Sequence, residues 1–245
     1  MIFLASMVAR IIDNITLRHL ADPEFLEGNA PWYELWLRHN DYHARVKDVL
    51  ATRVRPEWRI LDVGGGSGVL SLYLQRIGCR VVLLEPARAM QALFRQNAAS
   101  AAVGNFSIEE RRWENLPLGS LSGFDLILAC NSLHATNVGF AAALEKVFAA
   151  GASHVFVVAE APYSAVLKSA KPPDCMLVHS EIRDIPSSWA YHRPEEALDH
   201  AAFRKGCRLE DRERDHILIS LVFEDEHFWL KNTARVRLEW WTRTA

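Results

Sequence analysis

A glycine cluster directly after a short apolar run is the feature that most constrains the fold of this chain. The run Ile60-Leu61-Asp62-Val63 leads into Gly64-Gly65-Gly66-Ser67-Gly68, and a helical pattern of apolar residues follows at once. This order predicts a strand, a tight turn and a helix, with a turn that lets the backbone approach a ligand because glycine has no side chain. The next apolar run ends in Glu85, whose carboxylate can accept hydrogen bonds from a ribose diol. Together the two segments predict a nucleotide-cofactor site on an open α/β sheet.

The spacing of the glycines separates the cofactor classes. A dinucleotide fingerprint, G-x-G-x-x-G, would need a glycine at position 69, where Val69 stands. The pattern Asp62-x-Gly64-x-Gly66-x-Gly68 instead resembles motif I of the class I S-adenosylmethionine-dependent methyltransferases. An NAD-binding Rossmann protein, or a glycine turn that binds nothing, is the alternative. The resemblance implies S-adenosylmethionine as cofactor, with Glu85 on the ribose hydroxyls, and it implies a first set of cofactor-binding residues: Asp62, Gly64, Gly65, Gly66, Gly68, Glu85 and Pro86.

The resemblance also implies an adenine contact after the third strand. Many small-molecule methyltransferases have an acid-Ala-x-x-Leu-Pro pattern there, in which the acid and the backbone hold the adenine amino group. Here Leu116-Pro117 fits the pattern, but Arg112 and Trp113 stand where the acid and the alanine are usual. The expected contacts are therefore the backbone of Trp113 and the side chain of Glu114. The alternative is that Trp113 packs in the core while Glu114 lies at the surface.

A second loop lies at the end of the fourth predicted strand. The segment Cys130-Asn131-Ser132-Leu133-His134 resembles the Ser/Asn-x-Leu-His loop of small-molecule methyltransferases, and it should lie near the transferable methyl group. The resemblance implies that Asn131 contacts the cofactor and that His134 lines the acceptor site. Since imidazole can take a proton near neutral pH, His134 is also the candidate general base. The alternative is a structural hydrogen-bonding role for His134.

Strand and helix patterns alternate along the chain, which predicts a mostly parallel sheet. The resemblance implies an α/β, Rossmann-like, doubly wound sheet of seven strands in the order 3-2-1-4-5-7-6, with the last strand antiparallel and an N-terminal helical extension. The apolar run 216–223 predicts a long strand, paired near residues 207–211. We expect a helical cap over residues 1–55 and a methyltransferase domain over residues 56–245, with an acceptor-side insertion at 161–205.

Aromatic residues are concentrated in the N-terminal cap. Asn29-Ala30-Pro31 is typical of a helix start, with a cap residue followed by an early proline. Tyr33 and Trp36 follow, and they are candidate acceptor-binding residues because π-faces attract a sulfonium cation and exclude water. Packing of the cap on the sheet would explain the same aromatics equally well.

Composition limits the classes of partner. The chain has 245 residues, a net charge of -2 and mixed rather than clustered charges, so we expect no nucleic-acid partner. The four cysteines form no C-x-x-C pair, which argues against a metal site and favours reduced thiols in the cytoplasm. The apolar start is too short to span a bilayer, so no membrane partner is expected. A homo-oligomer is compatible with the sequence. We therefore expect a cytoplasmic enzyme that methylates a small-molecule acceptor; a non-catalytic cofactor-binding or regulatory protein of the same fold is the alternative.

Overall fold

The computed structural model describes residues 21–104, 106–170, 172 and 174–244. These residues form two compact units. The smaller unit combines the described residues up to Tyr42 with Ile185–Ala234, and the larger unit combines His43–Asp184 with the segment from Arg235 onwards. Residues 1–20 of the predicted cap lie outside the described residues. The division into a cap, a methyltransferase domain and an acceptor-side insertion stays a prediction, because compactness alone does not identify those roles.

The described residues contain ten strands and eight α-helices. The strands are β1 (Arg59–Val63), β2 (Arg80–Leu84), β3 (Ser107–Glu109), β4 (Leu126–Cys130), β5 (His154–Glu160), β6 (Cys175–Pro186), β7 (Trp189–Tyr191), β8 (Val222–Glu224), β9 (His227–Leu230) and β10 (Thr233–Arg243). The helices are α1 (Pro23–Arg38), α2 (Ala44–Arg53), α3 (Val69–Arg76), α4 (Arg88–Ser100), α5 (Gly139–Ala149), α6 (Tyr163–Ser169), α7 (Pro194–Lys205) and α8 (Asp211–Ser220).

The larger unit is built on a seven-stranded sheet in the order β3-β2-β1-β4-β5-β10-β6. Strand β1 pairs in parallel with both β2 and β4, β4 pairs in parallel with β5, and β10 runs antiparallel to β5. The predicted order 3-2-1-4-5-7-6 is thus confirmed, with β10 in the place of the seventh strand. The strand order reverses between β1 and β4, and ligands of open α/β sheets bind at such a point, outside the carboxyl ends of the strands.

The central strands carry the core of the larger unit. Strands β4 and β5 are buried over almost their whole length, as expected for parallel strands covered on both faces. Two adjacent tryptophans of β10 extend this core, since successive side chains of a strand point to opposite faces. Trp240 packs on Phe156 with ring centroids 5.2 Å apart, and Trp241 makes an edge contact with Phe148 at 5.2 Å. The tandem tryptophans therefore pack on both faces of the sheet.

The prediction of a long strand over residues 216–223 is wrong. Residues 211–220 form α8, which a capping box starts: the Glu210 side chain accepts from the backbone of Glu213, and the Glu213 side chain accepts from the backbone of Glu210. The same Glu213 pairs with Lys205 at 2.6 Å. These local polar contacts select a helix over the strand that the apolar run suggested. The antiparallel strand of the sheet comes from β10 instead.

The helix start expected at Asn29 is also wrong. Helix α1 begins at Pro23, and the side chain of Asp22 accepts a hydrogen bond from the backbone N–H of Glu24 at 2.9 Å. Pro31 therefore lies inside the helix rather than at its first turn. An Asp-Pro pair is as good a start as Asn-Ala-Pro, so two competing start patterns lie within ten residues here.

The smaller unit has a three-stranded antiparallel sheet in the order β7-β9-β8, together with α1, α7 and α8. Its core is rich in aromatic rings. Trp32 stacks on the buried His200 with centroids 4.6 Å apart, and Trp189 contacts the same ring at 4.2 Å. The hydroxyl of Tyr191 lies 2.8 Å from Nδ1 of His200. Across all of the described residues, no helix combines the length and the apolar character needed to cross a membrane.

Candidate functional site

The glycine turn after β1 is closely packed on its inner side. Gly64 and Gly68 have positive φ angles of 65° and 83°, which residues other than glycine rarely adopt. A Cβ atom on Gly64 would lie 2.5 Å from Cβ of Ser132, and one on Gly68 would lie 2.0 Å from the Phe94 ring. The predicted strand, turn and helix are present, and Gly68 is the N-terminal cap residue of α3. The turn accordingly leaves room for backbone only.

Asp62 lies beneath this turn. Its side chain is 1 % exposed, and Oδ2 accepts a hydrogen bond of 2.7 Å from the hydroxyl of Ser71 on α3. A Cβ atom on Gly65 would lie 2.7 Å from the same oxygen. Burial raises the pKa of Asp62 to about 6, and hydrogen bonds from Ser71 oppose this. Asp62 thus ties the turn to α3, while its predicted contact with a cofactor stays a prediction.

The raised pKa of Asp62 predicts a pH-dependent stability. The folded protein holds this proton more tightly than the unfolded chain, so stability should rise as the pH falls from above 6 to about 4. A shift from 3.8 to about 6 corresponds to about 3 kcal/mol. Asp62→Asn keeps an oxygen for Ser71 and removes the titration. Urea unfolding at pH 4.5 and 7.5 should therefore show the variant gaining stability relative to the wild type at pH 7.5; parallel profiles would contradict the prediction.

Glu85 is held against the glycine turn. Its carboxylate accepts one hydrogen bond from the backbone N–H of Gly66 and one from that of Ala87, both at 2.9 Å. The backbone carbonyl of Glu85 accepts a third bond, from Gln91, at 2.8 Å. Each carboxylate oxygen has two lone pairs and can accept more than one hydrogen bond. Glu85 is buried and Pro86 is half-buried. Both follow directly after the carboxyl end of β2, and the contact with Gly66 places Glu85 beside motif I.

The segment after β3 is fixed by one lysine. Nζ of Lys146, on α5, donates to the backbone carbonyls of Trp113, Glu114 and Leu116 at 2.6, 3.1 and 2.6 Å. The indole of Trp113 is buried and donates to the carbonyl of Ala143 at 3.1 Å. Trp113, which stands where alanine is usual, is therefore a core residue here. The ammonium group of Lys146 also lies over the Trp113 ring, 5.0 Å from its centroid, and so stabilises the turn at residues 113–116. Sequence reasoning missed Lys146, because nothing in its local pattern connects it to residues 113–116.

Glu114 is engaged with the loop after β4. Its Oε1 accepts hydrogen bonds from the backbone N–H of Asn137 at 3.1 Å and from the side chain of Asn137 at 2.7 Å. The guanidinium of Arg112 lies 3.7 Å from the same oxygen. These contacts connect the two loops in which the cofactor contacts were expected. Adenine binding by Trp113 and Glu114 stays a prediction.

The loop after β4 is hydrogen-bonded to the ends of both β1 and β5. Asn131 has a positive φ of 49°, and its side-chain amide pairs with Glu160 at the end of β5. The hydroxyl of Ser132 donates to the backbone carbonyl of Val63 at the end of β1, at 2.5 Å. Asn131 consequently lies at the carboxyl edge of the sheet, next to the strand that leads into motif I. The part of Glu160 in this edge was missed from the sequence, although an acid directly after an apolar run was the pattern that singled out Glu85.

His134 is half-buried and stacks on Tyr163 with ring centroids 4.9 Å apart and an angle of 9° between the rings. Tyr163 stacks in turn on Phe140 at 5.1 Å. Burial lowers the pKa of His134 to about 4. The imidazole is therefore neutral at pH 7 and a weaker base than an ordinary histidine. Its role as general base stays a prediction.

The titration of His134 can be measured without knowing the acceptor. We expect its imidazole to stay neutral between pH 6 and 8 and to titrate near pH 4, because burial disfavours the charged form. NMR of the protein labelled at histidine, assigned by comparison with His134→Phe, checks this expectation. A midpoint near 6.5 would contradict it, and would make His134 a stronger candidate for the base.

The two predicted acceptor-binding aromatics, Tyr33 and Trp36, belong to the smaller unit. Their rings stack at 5.8 Å, and Trp36 is buried against Tyr42 at 5.1 Å and Trp189 at 6.4 Å. Trp36 therefore packs the core of its unit, whereas Tyr33 is half-buried. Contact of either residue with an acceptor stays a prediction.

Comparison with known proteins agrees with the fold and the motif. Residues 60–152 match the family model of a methyltransferase domain. A candidate methyltransferase from Bacillus halodurans is similar with a TM-score of 0.59 and 11% identity, over 82% of this chain and 99% of that one. A candidate RNA methyltransferase from Pyrococcus horikoshii is similar with a TM-score of 0.56 and 14% identity, over 86% of this chain and 90% of that one. A third similar structure is magnesium protoporphyrin IX methyltransferase from Synechocystis, which was solved with bound S-adenosylmethionine. Its TM-score is 0.51 and its identity 12%, over 82% of this chain and 80% of that one. No curated protein sequence matches the chain.

The matched segment contains motif I, Glu85 and the loop after β4, and the sheet has the strand order expected from that motif. Residues 60–152 therefore match a methyltransferase domain, and the sheet that carries them has the fold of solved methyltransferases.

Proposed function

We propose that this protein transfers the methyl group of S-adenosylmethionine to a small-molecule acceptor in the cytoplasm. The observation that carries the cofactor site is the contact of the Glu85 carboxylate with the backbone of Gly66, at the point where the strand order reverses. The residues proposed to bind the cofactor are Asp62, Gly64, Gly65, Gly66, Gly68, Glu85, Pro86, Trp113, Glu114 and Asn131. The residues proposed for the acceptor are Tyr33, Trp36 and His134.

The residues fit this cofactor in a simple way. The glycine turn offers a surface of backbone without side chains, where a Cβ on Gly64 or Gly68 would collide with the protein. Glu85 supplies acceptor oxygens for two neighbouring hydroxyls. When bound, the cofactor supplies a methyl group on a positively charged sulfur, which is already activated for displacement. The protein then has to hold the acceptor in line with the methyl carbon and exclude water.

A small molecule is favoured over a nucleic acid by charge. The chain has a net charge of -2, and basic side chains are paired with acids in several places, including Arg80 with Glu57 and Lys231 with Glu224. A polyanion would need an excess of unneutralised lysine and arginine. Since one structural neighbour is described as an RNA methyltransferase, RNA is included among the acceptors that the experiment must test. The cap over residues 1–55 and the insertion over 161–205 are proposed to cover the acceptor.

A second candidate is a protein that binds the cofactor without turnover. The segment after β3 favours it, because Trp113 fills the core where alanine is usual and Lys146 engages the carbonyls of residues 113, 114 and 116. Such a protein would bind S-adenosylmethionine and its product normally. It would methylate no acceptor.

Calorimetric titration tests the proposal first. We expect saturable binding of S-adenosylmethionine and S-adenosylhomocysteine and none of NADH, after removal of any cofactor that co-purifies. Binding of NADH alone would refute the cofactor assignment. Incubation with radiolabelled S-adenosylmethionine and separate pools of small amines, phenols, thiols and RNA then tests the acceptor. Labelling of RNA would refute the small-molecule proposal, and binding without transfer to any pool would favour the non-catalytic candidate.

A further inference from the structure

Glu160 is a charged side chain at the carboxyl edge of the sheet, outside the residues proposed above. It is the last residue of β5 and is half-buried. Strand β5 lies beside β4, so Glu160 is at the edge where ligands of open α/β sheets bind. The side-chain amide of Asn131 donates to Oε1 of Glu160 at 3.2 Å, and the backbone N–H of Glu160 donates back to Asn131 at 3.2 Å. The carboxylate is therefore fixed in position rather than free to rotate in solvent.

A continuous set of contacts joins this carboxylate to the glycine turn. Asn131, the partner of Glu160, is followed by Ser132, whose hydroxyl donates to the carbonyl of Val63. The Cβ atom of Ser132 lies 2.5 Å from the place where a Cβ of Gly64 would stand. Asn131 and Ser132 thus connect Glu160 to the glycine turn, which is proposed to bind the cofactor. Asp62 and Glu160 also act together on one group: burial raises the pKa of the Cys130 thiol, and both negative charges raise it further.

An aromatic surface follows the carboxylate in the chain. Tyr163, at the start of α6, is three residues beyond Glu160 and stacks on both His134 and Phe140. His134 and Tyr163 are half-buried rather than part of the closed core. A fixed carboxylate at the end of β5, three residues before an aromatic surface, is a combination suited to an amine, because a carboxylate pairs with N–H groups while π-faces attract a cation. An acceptor without a donor hydrogen, such as an ether, would gain nothing from the carboxylate.

We infer that Glu160 faces the acceptor and selects an amine as the group to be methylated. The inference rests on the proposed function and gives its substrate class. The lone pair of a neutral amine forms the bond to the methyl carbon while the carbon–sulfur bond breaks, and that bonding pair stays on sulfur. Positive charge thereby moves from sulfur to nitrogen, and Glu160 stabilises it through the N–H groups. The methylated ammonium then gives one proton to Glu160, from which it passes to solvent.

The test uses two cofactor analogues and needs no knowledge of the acceptor. S-adenosylhomocysteine lacks the methyl group, and sinefungin carries an amine close to where that methyl group stands. We expect the wild-type protein to bind sinefungin more tightly than S-adenosylhomocysteine by about tenfold or more, since a hydrogen bond to a charged group is lost in the latter. Equal affinities in the wild type would overturn the inference without any variant.

Glu160→Gln then separates the roles of the side chain. Glutamine keeps an oxygen for Asn131 and loses the charge, so sinefungin affinity should fall about tenfold while that of S-adenosylhomocysteine changes less than about twofold. The matched control is Glu145→Gln, an exposed glutamate on α5 whose substitution should alter neither affinity. Equal losses for both analogues would mean that Glu160 holds the amino-acid end of the cofactor, which overturns the inference. If neither analogue binds the wild type, the proposed function fails and the inference fails with it.

Discussion

Replacing Glu85 with alanine is expected to weaken the binding of S-adenosylmethionine by about two orders of magnitude. The carboxylate is proposed to accept hydrogen bonds from two ribose hydroxyls, and each bond to a charged group contributes about 1.5–3 kcal/mol. The substitution also removes the acceptors of the Gly66 and Ala87 N–H groups, so the turn itself loses support. Calorimetric titration with S-adenosylmethionine measures the loss of affinity directly.

Two further variants make the prediction specific. Glu85→Gln keeps one oxygen for the backbone and should lose less affinity than the alanine variant. Glu57→Ala removes an exposed carboxylate that precedes β1 and pairs with Arg80, at the opposite end of the same strands, and should leave the affinity unchanged. Circular dichroism establishes whether each variant is folded. Near wild-type affinity in folded Glu85→Ala would remove Glu85 from the site, and with it the main support for the position of the ribose.

The part of the fold that the sequence predicted rests on strong local patterns. The apolar runs that became β1, β2, β4 and β5 are buried on both faces, and such strands appear as continuous apolar stretches. The glycine turn could be predicted because its residue types follow from backbone conformation alone. The order of the strands came from the resemblance to motif I and not from any pattern in the strands themselves.

The part that was missed depends on contacts between distant segments. Strand β6 is exposed along most of its length, so it shows no apolar alternation that would reveal it. The apolar residues 217–219 suggested a strand, yet only Ile217 among the α8 residues is buried, and the capping box at Glu210 decides for a helix. Strand β10 was hidden because its charged residues interrupt the apolar ones until Trp240.

The candidate site divides in the same way. Asp62 and Glu85 were singled out by position alone, and both make contacts with the glycine turn or the helix after it. Lys146 could not have been found, since it reaches carbonyls about thirty residues earlier in the chain. The pKa of His134 could not be predicted either, because it depends on burial against Tyr163 rather than on the residue type. Sequence therefore identifies the cofactor loops better than the groups that support them.

Gly68→Ala is expected to destabilise the protein by about 2–5 kcal/mol, the largest loss of stability expected for any of these substitutions. The residue has a φ of 83°, and a side chain there costs about 1–2 kcal/mol. In addition the new Cβ would lie 2.0 Å from the Phe94 ring, which is fully buried. Forcing extra atoms into a packed core costs about 1–3 kcal/mol more. Urea unfolding monitored by circular dichroism measures the sum. The control is Gly119→Ala, because a Cβ there meets nothing within 4 Å and its stability should change by less than about 0.5 kcal/mol.

A double variant separates the two causes at Gly68. Phe94→Leu reduces the ring that the new Cβ would meet, so Gly68→Ala should cost about 1–2 kcal/mol less in the Phe94→Leu background than in the wild type. The remaining cost then belongs to the positive φ, which no neighbouring substitution relieves. If Gly68→Ala costs the same in both backgrounds, the collision with Phe94 is not the cause, and backbone strain alone explains the glycine. A cost below about 1 kcal/mol in the wild type would mean that position 68 needs no glycine for folding, and its place in motif I would then have to be explained by the ligand.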